Sequence, residues 1–293
     1  MEQNFITDIF LPLALAIIML GMGLGLVPND FKRVIRYPKA VTIGLINQVI
    51  LLPLIAYLLL SMFSLKPELA VGVMLLSACP GGPTSNLISH LAKGDVALSV
   101  TLTAVTTFVT MFSIPLIVNF SIVHFMPSGE AVTLPIGGTI LKLTTIAVVP
   151  VILGMMIKKF APTLSRKADK PVRIMSAVFL VLIIAGAILK ERSNVMEYFA
   201  LAGPVTLLLN ILTLATGFLS AKLFKVNHRQ SITVTVESGI QNGTLAIAIG
   251  ASMLKNVPMT IPPAIYSLIM FFTAGIVIAL ALRNKEIVKP ATT

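Results

Sequence analysis

The sequence predicts an all-α polytopic membrane protein of nine transmembrane helices, folded as an inverted repeat whose third and eighth spans are interrupted. Three observations carry that prediction. Mean hydropathy is +0.97 and only 11% of the 293 residues are charged, against about 25% in soluble domains. Apolar runs of about 20 residues, the length that crosses a bilayer, recur along the chain. Two of those runs are broken by glycine, proline and polar residues at corresponding places.

The spans fall at residues 5–26, 40–63, 68–92, 95–119, 135–157, 172–190, 197–222, 229–254 and 259–282. The first contains "GMGLG", where Gly21 and Gly25 predict a small-residue face for close helix contact. The second carries Asn47 and Gln48 in "GLINQVILL". The third is broken at "CPGGPTSN", residues 79–86. Proline removes a backbone donor and glycine loosens the helix, so this stretch is not regular helix. In hydrocarbon each freed N–H and C=O needs a partner, so the break must face protein or a wet cavity. Cys79 beside it reads as a small packing residue. The fourth span places Ser99 and Thr103 four residues apart, on one face. The eighth contains "TVESGIQNGTLAIA", residues 235–248, a second polar interruption. Each broken span is the third of a four-span group, and the groups start five spans apart, hence in opposite orientation. That placement points to an inverted-repeat transporter with a site near the bilayer midplane. Residues 1–120 form the first repeat, 121–171 a linking fifth span and basic connection, and 172–293 the second repeat.

Charge sets the orientation. Lys32, Arg33, Arg36, Lys39, Lys93, Lys158, Lys159, Arg166, Lys167, Lys170, Arg173, Lys222, Lys225, Arg229, Arg283, Lys285 and Lys289 fall on alternate connections and the C-terminal tail. The opposite side holds Lys66, Lys190, Arg192 and Lys255, so the count is seventeen against four. Cytoplasmic loops carry the basic excess, which places the N-terminus outside and the C-terminus in the cytoplasm of a multi-pass inner-membrane protein. Lys142 is expected to snorkel from the fifth span. The net charge of +11 lies between apolar runs, so it reads as topology and implies no nucleic-acid partner. No cleavable signal peptide is expected.

Of the eleven acidic residues, only Glu237 sits well inside a span. An ionised carboxylate at that depth costs at least a few kcal/mol, about what insertion scales assign, unless something compensates it. A bound cation and a protonated carboxyl are the two escapes; a neutral Glu bonded between helices is the bland alternative. Around Glu237 the oxygen donors are Ser238, Gln241 and freed backbone, with Ser85, Asn86, Ser99, Thr103, Asn47 and Gln48 on other spans. Hard cations take oxygen ligands, and broken helices supply carbonyls to sodium. Singly, such residues are interhelical glue; together they suffice for more than one sodium. Each break also starts a new half-helix, near Thr84 and near Gly243, whose N-terminal amides favour an anion. Pro83 suits such a start.

Rival classes fit less well. His90, His124 and His228 lie at span ends, no H-E-x-x-H occurs, and no second buried carboxylate accompanies Glu237. No phosphate loop marks a nucleotide-driven pump. A channel also uses broken helices, but one carboxylate without a ring-forming repeat favours a carrier. A transporter-like sensor stays open, and proton coupling through a lone Glu is the main alternative to sodium.

"CPGGPTSN" followed by "GDVALSVTLTAVTT", and later "ESGIQNG", resemble the signature segments of the bile acid:sodium symporter family. The resemblance runs from Leu13 to the last span. It implies a core domain, in which the two broken helices cross, packed against a panel domain. It implies two sodium ions, one at Ser85, Asn86, Ser99, Thr103 and Glu237. The other would use Gln48, Glu237, Gln241 and the carbonyls of Ser238 and Ile240. Thr84, Asn242, Gly243 and Thr244 would face an organic anion, and the protein would work as a monomer by alternating access. Two departures bear on substrate: Pro83 replaces a small or hydroxyl residue, and Met270 and Phe271 stand where some bacterial members have His and Asn. These departures put a bile acid in doubt as the cargo, and the resemblance to bacterial members implies a smaller carboxylate such as pantoate, with a bile-acid-like anion as the other choice.

Overall fold

A computed structural model of the chain describes residues 9–126, 134–190 and 192–283. Its regular elements there are helices. In chain order they are α1 (Leu11–Gly25), α2 (Pro28–Arg36), α3 (Pro38–Ile46), α4 (Leu52–Met62), α5 (Pro67–Ala78), α6 (Pro83–Leu91) and α7 (Val96–Phe125). Then come α8 (Ile136–Leu143), α9 (Val149–Phe160), α10 (Pro162–Lys190), α11 (Val195–Leu223), α12 (His228–Gly239), α13 (Gly243–Ala248) and α14 (Ile261–Arg283). Expectations resting on residues 5–8, Glu130, Glu191, Lys285 and Lys289 lie outside the described residues.

Five helical runs among the described residues are long and apolar enough to cross a membrane: Pro38–Met62, Val96–Phe125, Ile136–Phe160, Met196–Leu223 and Pro258–Arg283. They coincide with predicted spans two, four, five, seven and nine. Counting α1 with α2 as one bent element makes six, with a bend of 74° between them. Predicted spans three and eight are each two helices, α5 with α6 and α12 with α13, separated at residues 79–82 and 240–242. Large apolar side chains such as Leu54, Leu58, Phe112, Leu116 and Phe120 are exposed at helical spacing. A contiguous apolar exterior of this kind is a lipid-facing surface.

Two connections expected as loops are helical. The first basic stretch forms α2, whose Phe31 packs edge-on against Phe108 with centroids 5.9 Å apart while Lys32 and Arg36 stay exposed. Hydropathy windows miss this element because it is amphipathic and runs across, not along, α1. Asp30 anchors it: its carboxylate accepts the Val27 N–H at 2.7 Å, and its carbonyl accepts the Thr101 hydroxyl at 2.9 Å. The basic connection before span six is also helical, so α10 starts at Pro162 instead of 172. Proline at the first position and a run rich in Leu, Arg, Lys and Ala favour that extension.

Wider turns with i→i+5 bonding occupy residues 47–51, 144–148 and 249–253 within the helical runs. The first precedes Pro53, which has no N–H to bond the carbonyl of Val49 and whose ring crowds it, so widening relieves the clash. The small-residue contact of α1 is also not where the spacing put it. Gly25 faces open space and Gly21 faces the Val172 side chain. The close approach is at Gly23 and Gly154: a Cβ on Gly154 would stand 2.5 Å from the Leu20 carbonyl, and one on Gly23 would run into the Val151 carbonyl. Backbone meets backbone there, so α1 packs on α9 and α10, while α5 packs on α7 and α14 and α11 on α12 and α14. At the α4–α5 turn, Lys66 lies 2.6 Å from Glu197 at the start of α11. The hydrogen bond to that carboxylate raises the Lys66 ammonium above its ordinary value. Both side chains are exposed, so the pair contributes little stability.

Candidate functional site

The two breaks lie side by side. Gly81 and Gln241 form an antiparallel backbone bridge, and the Asn242 N–H donates to the Pro80 carbonyl at 2.9 Å. Helix ends leave unpaired amides and carbonyls, and each break supplies partners to the other. A Cβ on Gly81 would stand 2.8 Å from Glu237 Oε2 and 3.2 Å from Gln48 Nε2, so any larger residue would displace these side-chain ends.

The Glu237 carboxylate, fully buried on the last turn of α12, gathers residues from three other helices. Ser85 Oγ of α6 donates to Oε1 at 2.6 Å, and Ser99 of α7 makes a short hydrogen bond to the same oxygen. Thr103 Oγ1 of α7 lies 3.1 Å from Oε2, and Gln48 Nε2 lies 3.4 Å from it. Asn86 completes the cluster, its Oδ1 2.8 Å from Ser99 Oγ and 3.4 Å from Thr103 Oγ1. Ser99 and Thr103 share a face of α7, as their spacing predicts. No Lys, Arg or His forms an ion pair with Glu237 among the described residues.

Lone pairs here outnumber protons. Ser85 Oγ stands 2.8 Å from the Gly82 carbonyl, 2.6 Å from Glu237 Oε1 and 3.3 Å from Thr103 Oγ1. It owns a single hydrogen, as do Ser99 and Thr103. The Ser85 N–H also donates to the Gly82 carbonyl at 3.0 Å, so the Gly82 and Asn86 oxygens and both carboxylate oxygens can each accept one hydrogen bond, and their remaining lone pairs stay unfilled. One negative charge and a shell of neutral oxygens is the donor set that suits a hard monovalent cation.

A second set lies on the backbone side of Glu237. Gln48 Nε2 donates to the Glu237 carbonyl at 2.5 Å, and Gln241 Nε2 donates to the Ser238 carbonyl at 3.0 Å. The amide oxygens of Gln48 and Gln241 are buried and meet no donor. A buried acceptor without a partner is unfavourable by about 1–3 kcal/mol, and a cation would remove that penalty at both. The widened turn at 47–51 presents Asn47 as well as Gln48 to α12: Asn47 Nδ2 donates to Ser238 Oγ at 3.1 Å and to Ser220 Oγ at 2.9 Å. Ile240 is buried in the break, its N–H on the Val236 carbonyl at 2.9 Å.

The residues expected to face an anion separate into two kinds. Thr84 is half-buried at the start of α6, where no side chain caps the helix. Asn242 is instead committed locally: its Oδ1 accepts the Leu245 N–H at 3.0 Å and the Thr244 hydroxyl at 2.8 Å. It thus caps α13 and occupies an amide that the sequence reading left bare. Gly243 is hemmed in, a Cβ there overlapping the Ser267 side chain. In α14, Met270 is buried, but Phe271 is exposed on the flank of Leu268 and Phe272, so only Met270 is placed to contribute to an interior wall. Two residues escaped the sequence reading: Asn210 of α11 and Tyr266 of α14, both hydrogen-bonded to the Gly239 carbonyl beside the break. The one available signal was an asparagine alone in the apolar run "LLLNILTL".

Comparison with known proteins gives the family of the chain. The family model described as Sodium Bile acid symporter family matches residues 12–198. The uncharacterized sodium-dependent transporter YocS of Bacillus subtilis (strain 168) is 32% identical over 258 residues, covering 88% of this chain and 78% of that protein. The ileal sodium/bile acid cotransporter of Oryctolagus cuniculus is 29% identical over 296 residues, covering 94% and 81%. The probable chloroplastic sodium/metabolite cotransporter BASS2 of Oryza sativa subsp. japonica is 27% identical over 282 residues, covering 95% of this chain and 65% of that longer protein. The chain therefore belongs to the sodium bile acid symporter family, a family of sodium-coupled membrane transporters and not of enzymes.

Proposed function

We propose that the protein is a secondary active transporter that couples two sodium ions to the import of an organic anion by alternating access. One ion would be held by Ser85, Asn86, Ser99, Thr103 and Glu237. The other would sit among Gln48, Glu237, Gln241 and the carbonyls of Ser238 and Ile240. The observation that carries this reading is a buried carboxylate with no ion-pair partner among the described residues, ringed by hydroxyl and amide oxygens, with the buried amide oxygens of Gln48 and Gln241 beside it meeting no donor. Nine spans with the N-terminus outside, two crossing discontinuous helices and a monomeric core-and-panel arrangement in the inner membrane complete the proposal. Support for the two bodies comes from packing: α1, α9 and α10 contact one another, while α5, α7, α11, α12 and α14 gather around the breaks.

The anion would dock at Thr84 and the uncapped start of α6, with Asn242, Gly243 and Thr244 forming the facing backbone. A small carboxylate such as pantoate is the cargo of choice, carried over from the resemblance to bacterial members of the family. The names of the relatives give both kinds of cargo, a bile acid for the protein of Oryctolagus cuniculus and a metabolite for that of Oryza sativa subsp. japonica.

Uptake of radiolabelled pantoate and taurocholate into proteoliposomes, under an imposed sodium gradient or an imposed proton gradient at equal membrane potential, tests the reading. Sodium-driven accumulation of the smaller anion is expected. Accumulation driven by protons alone would replace sodium by a proton on Glu237.

A further inference from the structure

Gly239 is the last residue of α12, so its carbonyl has no helical N–H to accept. Two side chains from two other helices serve it. Asn210 Nδ2 of α11 and the Tyr266 hydroxyl of α14 each donate at 2.8 Å, and both side chains are fully buried. The nitrogen end of the same peptide unit is held as well, by the Ile240 N–H on the Val236 carbonyl at 2.9 Å. A peptide unit is planar and stiff, so residues 239–240 are pinned at oxygen and nitrogen together. The alpha carbon has no room to shift either, since a Cβ on Gly239 would overlap the Leu214 side chain.

The neighbouring carbonyls are turned to different partners. Those of Glu237 and Ser238 accept from Gln48 and Gln241, the amide pair of the second cation set. The Gly239 carbonyl, flanked by two proposed sodium ligands, is the one withdrawn toward α11 and α14. One donor is enough to satisfy a stray carbonyl; two donors fill both lone pairs and fix its direction. Asn210 does this at a cost, because its own Oδ1 is buried with no donor.

We infer that Asn210 and Tyr266 are positioning residues for the second sodium ion. By holding the Gly239 carbonyl away from the ion they aim the carbonyls of Ser238 and Ile240 at it. The inference rests on the sodium reading above. It extends that site to two helices, α11 and α14, that contribute no ligand of their own.

Equilibrium binding of radioactive sodium to the purified full chain, with choline chloride balancing ionic strength, tests it alongside thermal unfolding without sodium. Tyr266→Phe keeps the ring and removes one donor; Asn210→Leu removes the other. Thr206→Val is the control, a buried hydroxyl of α11 bonded only within its helix, to Ala202 and Gly203. Tyr266→Phe should weaken sodium binding about tenfold, the low end of the loss seen when an outer-shell group that orients metal ligands is removed. Its sodium-free unfolding temperature should move no further than that of Thr206→Val, whose sodium affinity stays at the wild-type value. Wild-type affinity in both Tyr266→Phe and Asn210→Leu would overturn the positioning role while leaving the sodium reading intact. So would a loss of affinity matched by a loss of sodium-free stability, which is the mark of a packing role. Absence of saturable sodium binding in the wild-type chain would remove the sodium reading itself, and this role with it.

Discussion

The break at 79–82 and the break at 240–242 interrupt two helices in the same way, yet they are finished differently. At the first, Gly82 starts α6 without a side-chain cap, and Thr84 and Asn86 are only half-buried. At the second, Asn242 caps α13, and residues 233–250 are all buried. The first break supplies hydroxyls, an amide oxygen and open helix-end amides; the second supplies the charge and is sealed. Two interruptions that look equivalent in the sequence therefore differ in access: the second is buried throughout, and the first leaves a half-helix start part-exposed.

The largest expected effect comes from removing the charge. Glu237→Ala should insert normally and lose concentrative uptake altogether, measured as sodium-driven accumulation per molecule reconstituted. Normal transport by that variant would detach both ion sets from the sealed break. Next is glycine at the point of contact. Gly81→Ala drives a methyl group to 2.8 Å from Glu237 Oε2, whereas the methyl of Gly82→Ala would first meet Thr84 Oγ1 at 3.4 Å. Overpacking costs about 1–3 kcal/mol, so Gly81→Ala should lower both thermal stability and sodium affinity and Gly82→Ala should lower neither. Equal penalties at the two positions would erase the distinction between the breaks. A smaller effect is expected at the cap: Asn242→Ala should destabilise by about 1 kcal/mol in thermal unfolding, with Asn242→Asp retaining most of it. The smallest is Thr84→Val, within about 0.5 kcal/mol in stability, yet raising the KM for the anion. A stability loss at Thr84 as large as at Asn242 would mean that the open end is closed after all.

Much of this was legible in the sequence because hydropathy and proline chemistry are local. Five long spans fall within a few residues of their apolar runs, and the breaks lie where Pro80, Gly81, Gly82 and Pro83, and later Gly239 and Gly243, make a regular helix untenable. Glu237 was legible because a lone carboxylate in an apolar run demands compensation. The misses have a common cause. A hydropathy window measures length but not direction, so α2 and the first turns of α10 read as loops. Gly21 and Gly25 have the spacing of a contact face, but the contact is made by Gly23 because α9, not the heptad of α1, decides which side is covered. Asn210 and Tyr266 belong to helices far from the breaks in sequence, and only tertiary packing shows which carbonyl they serve.

The backbone rung between Gly81 and Gln241 also limits how the molecule can rearrange. Sliding one interrupted helix past the other would break these bonds inside the bilayer, where each freed amide and carbonyl needs a new partner. Under the proposed alternating access, the four half-helices would travel together as a single cradle, carrying whatever rides in it across the bilayer without a hand-over.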